Sequence, residues 1–381
     1  MDYYCATKFT DLLVHVQSRL IYNCCKAYPE RVDIEWLEAN PGKLFHTPIM
    51  LQDRKLMLEN KSCSSCHFGC YKYEEQGMQS ARLSKRNQDR IIDPDAPVQN
   101  LQISLTTDCN LSCVYCSPEW STAWHREIET HGDYKLEGHV IKNNNWSTLW
   151  SKIKQNSRGY GTRFFYLLLN EIKLAKDLRS VTLLGGEPLL NNQLEDVIDH
   201  AKDKTITVVT GLGVSDRRLE ELLKKIKGTN IRFQISAEST RDYFEFIRHG
   251  VKWNDFERRV GMIDSNGHNI GFISTPSNLS MFDIHNFYRR YHGQYPININ
   301  TMSERPFLEP HVLDEQSKEE FSKNTHLFGD KAEQLIKMIS KTPSKLDRDN
   351  LKKYLTMLRD RRNINLTFFP KNFLDWCGIY Q

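Results

Sequence analysis

Three cysteines, Cys109, Cys113 and Cys116, stand in the frame Cys-x3-Cys-x2-Cys within the segment TTDCNLSCVYCSPEW. Any fold this chain adopts must present three sulfurs from that one short loop. Thiolates hold iron–sulfur clusters, and a four-iron cluster ordinarily takes four of them. A loop that supplies three leaves one iron open to another ligand. The competing assignment is a zinc knuckle, but such sites pair two Cys-x2-Cys halves to reach four ligands. No fourth cysteine lies near this loop in the sequence.

A second motif, VTLLGGEPLL, spans Val181 to Leu190: an apolar strand runs straight into Gly185, Gly186, Glu187 and Pro188. Paired glycines permit a close backbone approach that a Cβ would block. With the three-cysteine loop and Tyr115 just before the third cysteine, this motif resembles the radical S-adenosylmethionine (radical SAM) enzymes. The resemblance implies that Cys109, Cys113 and Cys116 hold a [4Fe-4S] cluster whose open iron chelates the amino and carboxylate groups of S-adenosyl-L-methionine. It further implies that Glu187, with Gly185, Gly186 and Pro188, meets the methionine ammonium, and that Tyr115 packs near the adenine. Ser236 is then a candidate for the ribose or the methionine carboxylate, against the alternative of a strand-end cap. Thr210 and Ile273, at other strand ends, complete the cofactor-binding set.

The organisation of the chain agrees with that resemblance. Leu101–Leu105, Ser180–Leu184, Thr205–Thr210, Ile231–Ala237 and Asn269–Ser274 read as strands, with Tyr295–Asn300 a weaker sixth. Amphipathic stretches lie between them, among them Ser215–Lys227 with Ser215 as N-cap and Gly228 past its end. Alternating strands and helices specify parallel strands covered by helices. The expected fold is therefore α/β, a partial (β/α)6 TIM-like barrel over residues 99–310 with a helical insertion at about 130–178. Within that insertion Trp146–Lys154 and Arg163–Leu178 read as helices. Both motifs follow strands, where barrels place their ligand sites. Residues 311–381 read as mainly helical, with Asn363–Phe369 strand-like and Cys377 near the end.

Residues 1–98 carry six of the ten cysteines. Cys5 precedes an alternating apolar segment, LLVHVQSRLIYNCC, that reads as a β-hairpin ending at Cys24 and Cys25; Cys63 and Cys66 follow as a Cys-x2-Cys. This order resembles the twitch module, the shortened relative of the SPASM domain, here placed before the barrel in a small cysteine-rich α+β domain. The resemblance implies an auxiliary [4Fe-4S] cluster on Cys5, Cys24, Cys63 and Cys66, with Cys25 the alternative to Cys24. A structural zinc on the same four thiols is the competing assignment. Another is a compact site on Cys63, Cys66 and Cys70.

Composition narrows the setting. Ten cysteines argue for metal or redox chemistry rather than disulfides in a chain without a recognisable signal segment. No apolar run approaches the roughly 20 residues of a membrane span. A cytoplasmic protein is expected. The net charge of +4 is too small to indicate nucleic acid, and the basic run Arg82–Arg86 reads as a solvated helix face. The implied function is reductive cleavage of S-adenosylmethionine to a 5′-deoxyadenosyl radical that abstracts a substrate hydrogen. The expected partners are a peptide or small-metabolite substrate and an electron donor such as flavodoxin or ferredoxin. If the auxiliary cluster accepts an electron, the net reaction is an oxidation and a base must take a proton; Glu238 and Glu119 are the candidates by position. The alternatives are a nucleoside- or nucleic-acid-modifying enzyme with an N-terminal zinc, and a non-catalytic binding protein.

Overall fold

A computed structural model of the chain describes residues 2–24, 26–75, 77, 80, 82–83, 90–143, 160–302 and 305–379. It divides into two compact units. One comprises Met1–Thr106, Leu149–Val208 and Lys224–Ile231; the other comprises Thr107–Thr148, Val209–Leu223 and Arg232–Gln381. Among the described residues the strands are β1 (Asp11–His15), β2 (Leu20–Tyr22), β3 (Glu30–Arg31), β4 (Asn100–Ser104), β5 (Tyr134–Leu136), β6 (His139–Ile141), β7 (Ser180–Leu184), β8 (Thr205–Thr210), β9 (Ile231–Ser236), β10 (Asn269–Ser274) and β11 (Ile297–Ile299).

In the first unit the strands lie in the order β3-β2-β1-β4-β7-β8. Strands β4, β7 and β8 are parallel, with Leu101 opposite Val181 and Val181 opposite Ile206. Alternate residues on these strands are buried, including Leu101, Ile103, Val181, Leu183, Ile206 and Val208. That period of two is what fixes strand register wherever a face is buried. The segment LLVHVQSRLIY forms the expected hairpin, β1 against β2 with Val14 opposite Ile21. What the sequence did not announce is that β1 also pairs in parallel with β4, Leu12 against Leu101 and Val14 against Ile103. Helix Tyr160–Leu174 belongs to this unit, and its buried Glu171 accepts the backbone N–H groups of Gly42 and Leu44 at 2.6 and 2.9 Å.

In the second unit β9, β10 and β11 are parallel, with Phe233 opposite Ile270 and Phe272 opposite Ile297. One helix separates each pair of consecutive strands from β7 to β11 except β9 and β10, which have two: Gln193–His200, Asp216–Lys225, Arg241–Ile247 with Trp253–Ser265, and Ile284–Tyr291. Parallel strands alternating with helices along the chain are the α/β class read from the sequence. Helix Asp216–Lys225 starts as expected, the Ser215 hydroxyl accepting the Arg218 N–H, and Gly228 follows it with φ of +81°.

Several local expectations are corrected. The stretch 130–143 contributes a β5–β6 hairpin turned by Gly138 rather than helix alone. The predicted helix Trp146–Lys154 lies outside the described residues, as does Cys25. Asn363–Phe369 is not a strand: Asn363 ends helix Lys345–Arg362 in the left-handed conformation, and Phe368 and Phe369 pack on Tyr243 and Phe246. Aromatic packing there outweighs a β-like composition. Arg82 is not on a solvated face; it is buried, donates to the Glu74 carboxylate and stacks over Tyr71.

Candidate active site

The three-cysteine loop is held by its own backbone. Cys109 donates its N–H to Thr122 Oγ1 at 3.2 Å, and that hydroxyl donates to the Cys109 carbonyl at 2.8 Å. Ser121 Oγ donates to the Leu111 carbonyl at 2.6 Å and also caps helix Thr122–His131 by accepting the Trp124 N–H. The indole of Trp124, fully buried, donates to the Cys113 carbonyl at 2.8 Å. Ser112 and Val114 donate their N–H groups to the carbonyls of His249 and Ile247. The Arg305 guanidinium donates to the carbonyls of Val114 and Cys116, and Tyr354 donates to the same Val114 carbonyl. The loop therefore keeps its carbonyls satisfied and turns its sulfurs to other uses.

Two glycines let this loop pack. A Cβ on Gly250, whose φ is +114°, would lie 2.7 Å from the Asn110 carbonyl oxygen, and one on Gly213 would lie 2.6 Å from Asn110 Oδ1. Neither glycine was singled out by the sequence.

Beside Cys113 stands a buried ionic cluster that sequence reading only half saw. Arg248 donates to Glu238 Oε1 at 3.2 Å and to Oε2 at 2.7 Å. Tyr115 Oη donates to the same carboxylate at 3.1 Å, and the guanidinium stacks over the Tyr115 ring at 5.1 Å. Arg248 Nη1 also reaches Cys113 Sγ at 4.0 Å. Both ends of the Glu238–Arg248 pair are nearly solvent-free. A bidentate fork of this kind is strong and geometrically specific. Burial drives the Tyr115 hydroxyl well above its usual range, so it stays protonated and donating. Burial also raises the Cys113 thiol, against the pull of Arg248, and pushes Cys116 up to about 12. Cluster binding at these thiols must therefore expel protons.

The Gly185–Pro188 turn follows β7 in the other unit. Gly185, at φ of +136°, comes so close to the end of β4 that a Cβ would lie 2.5 Å from the Thr106 carbonyl oxygen; Gly186 donates its N–H to the same oxygen at 2.8 Å. Glu187 is buried and caps the turn Pro188–Leu190 by accepting the Leu189 N–H at 3.2 Å. Thr210 is buried and its hydroxyl accepts the Leu212 N–H at 2.8 Å. Ser236 and Ile273 sit opposite each other in register on β9 and β10, both half-buried, while the next residue, Ser274, is fully buried with no partner for its hydroxyl. Glu119 is half-buried in the turn Pro118–Trp120, three residues past Cys116.

The N-terminal cysteines come together within the first unit. Cys5, Cys63 and Cys66 pack in one buried cluster with Phe9, Met57 and Tyr71. Cys24 is near enough to Cys5 to raise its thiol further, after burial. Cys63 and Cys66 share a hydrogen bond that draws Cys63 toward its thiolate. Cys70 is buried too but is not part of that packed group. Sequence reading missed Lys8, which is buried here and donates to Asp53 Oδ2 at 2.7 Å and Ser65 Oγ at 2.8 Å.

Among the described residues no three or more His, Cys, Asp and Glu side chains are grouped as ligands of one metal ion. The fit to an iron–sulfur cluster rests on donor chemistry instead: three thiols stand on one pinned loop, and in the N-terminal unit Cys5, Cys63 and Cys66 pack together with Cys24 electrostatically close to Cys5. Soft thiolate sets of this kind suit iron–sulfur clusters and, where there are four, zinc as well.

Residues 103–290 match the sequence model of the Radical SAM superfamily. The domain they form is a radical SAM domain. The family implies a four-iron cluster and S-adenosylmethionine. A Methanocaldococcus jannaschii protein described as a probable GTP 3′,8-cyclase is 26% identical over 169 residues, covering 44% of this chain and 44% of that protein. The chain thus spans less than half the length of the curated relatives it matches. Among solved structures, native anSMEcpe with bound AdoMet is 11% identical with a TM-score of 0.39, covering 63% of this chain and 62% of that one. Streptococcus suis SuiB bound to precursor peptide SuiA is 12% identical with a TM-score of 0.34, covering 93% and 70%. No helix of the described residues is long and apolar enough to cross a membrane.

Proposed function

We propose that this protein is a two-cluster radical SAM oxidoreductase acting on a peptide or a small metabolite. The observation that supports this reading is the packing of Cys5, Cys63 and Cys66 in one buried cluster, with Cys24 close enough to Cys5 to act on its thiol, apart in sequence from the loop of Cys109, Cys113 and Cys116. Cys109, Cys113 and Cys116 would hold the loop cluster, which, with a flavodoxin- or ferredoxin-type electron donor and S-adenosylmethionine, would supply the chemistry for removing a hydrogen atom from a substrate carbon. An auxiliary cluster held by Cys5, Cys24, Cys63 and Cys66 would supply a one-electron acceptor and a base would take the proton, so that the net reaction would be a two-electron oxidation. The chain's own residues hold the parts. Arg305, Tyr354, Trp124 and Ser121 fix the loop, and Glu187 is assigned to the methionine ammonium.

The Glu238 carboxylate is already occupied by Arg248 and Tyr115. Its proposed role is therefore to anchor Arg248 beside Cys113, which leaves Glu119 as the base on position. A nucleotide substrate is the second reading, favoured by the similarity to probable GTP 3′,8-cyclases. Anaerobic iron and sulfide analysis of wild type beside a Cys109/Cys113/Cys116→Ala variant tests the two-cluster reading. Roughly eight irons falling to roughly four supports it. Four falling to none, with one zinc kept, makes the N-terminal unit structural and overturns it. Formation of 5′-deoxyadenosine in the presence of GTP or of peptide then separates the substrates.

A further inference from the structure

Lys8 is an unusual residue to find where it is. It follows Cys5 by three positions, lies on the short helix Thr7–Thr10, and is 2% exposed. Lysine is almost never fully buried unless paired. Its ammonium donates to Asp53 Oδ2 and Ser65 Oγ, and more weakly to Asn23 Oδ1 at 3.4 Å. Ser65 stands between Cys63 and Cys66 in the chain, donates to Asp53, and lies 3.6 Å from Cys63 Sγ. Asp53 itself is buried, on helix Pro48–Leu58. Its 2.7 Å ion pair with the equally buried Asp53 carboxylate keeps Lys8 charged. A positive charge is thus held one hydrogen-bonded step from Cys63 Sγ, through the Ser65 hydroxyl, with little water to screen it.

We propose that Lys8, clamped by Asp53 and Ser65, is the positioning residue that sets the reduction potential of the cluster held by Cys5, Cys24, Cys63 and Cys66. The proposal deepens the two-cluster reading and rests on it. Reduction adds one electron to the cluster and no proton, so the reduced form carries one more negative charge. Net charge, hydrogen bonds to the sulfurs and solvent exposure set such potentials. A buried cation stabilises the reduced form and makes the cluster a better electron acceptor. Asp53 acts in the opposite sense, because it offsets part of that cation while holding it in place. A purely structural ion pair would not separate the two residues in sign.

The test is an EPR-monitored redox titration of the full-length, iron-loaded protein in the Cys109/Cys113/Cys116→Ala background, so that only the N-terminal cluster responds. Lys8→Met is expected to favour the oxidised form at least tenfold, a fall of about 59 mV for one electron. Lys8→Arg should stay near the parent, and Asp53→Asn should shift the opposite way from Lys8→Met. Potentials unchanged in Lys8→Met, or moving the same way in Lys8→Met and Asp53→Asn, overturn the proposal while leaving the two-cluster reading intact. Should Lys8→Met not retain iron, Asp53→Asn against Lys8→Arg decides: a potential at or below the parent in Asp53→Asn overturns it. Absence of iron from the parent background removes the two-cluster reading, and the proposal with it.

Discussion

At the scale of single residues, the charged side chains around the thiols form matched pairs rather than free acids and bases. Glu238 and Arg248 are both buried, and removing one partner leaves the other as an uncompensated charge. Arg248→Met is therefore expected to destabilise the fold by about 3–5 kcal/mol, measured by denaturant unfolding of the iron-free protein. Glu238→Gln keeps an oxygen for Tyr115 and the guanidinium and should cost less. A smaller loss from Arg248→Met than from Glu238→Gln would show that the pair is not what holds Tyr115. The cysteines of both sets were legible in the sequence because their spacing is their signal. Arg248, Arg305 and Lys8 were not, because each reaches its thiol loop from a distant stretch of chain, and an isolated basic residue has no spacing to read. Glu238 was found by its place after a strand, but the partners that occupy its carboxylate could not be.

At the scale of elements, the loop of Cys109, Cys113 and Cys116 depends on backbone approaches that only glycine allows. Gly250→Ala places a Cβ on a residue at φ of +114° and 2.7 Å from the Asn110 oxygen. A cost of about 1–3 kcal/mol is expected, with loss of reconstituted iron from this loop. Gly261→Ala is the internal control: Gly261 sits inside helix Trp253–Ser265 with open space where its Cβ would go. That change should stabilise by about 0.5–1 kcal/mol and leave iron content alone. Thermal or chemical melts of the two variants, run beside iron analysis, check both signs. Strands β4, β7, β8, β9 and β10 were readable because apolar runs end at clear breaks such as Gly211 and Thr275-Pro276. The β5–β6 hairpin and the coil at 363–369 were not, since short three-residue strands and aromatic clusters are decided by what they pack against.

At the scale of the whole molecule, two histidines give acid sensitivity that the sequence does not advertise. Burial lowers His15 to about 4 and, with Arg362 and Lys252 adding to the effect, lowers His249 to about 4. The unfolded chain binds these protons at about 6.5. Between the two values the unfolded state therefore carries more protons, so stability is undiminished above about pH 6.5 and falls as pH drops toward 4. Each histidine contributes a slope of up to about 1.4 kcal/mol per pH unit in that window. Unfolding free energies measured across it, with His15→Gln and His249→Gln each reducing the slope, check the assignment. A slope unaltered by both substitutions would place the sensitivity elsewhere.

The pairing of β1 with β4 has a further consequence, for synthesis and for dissection of the chain. A ribosome releases β1 some ninety residues before β4, so until then the longest strand of the N-terminal hairpin has one side bare. Bare strand edges invite pairing with other chains. A fragment ending near residue 98 would keep that edge permanently and is expected to self-associate in size-exclusion chromatography, whereas one extended past Ser104 can cap itself.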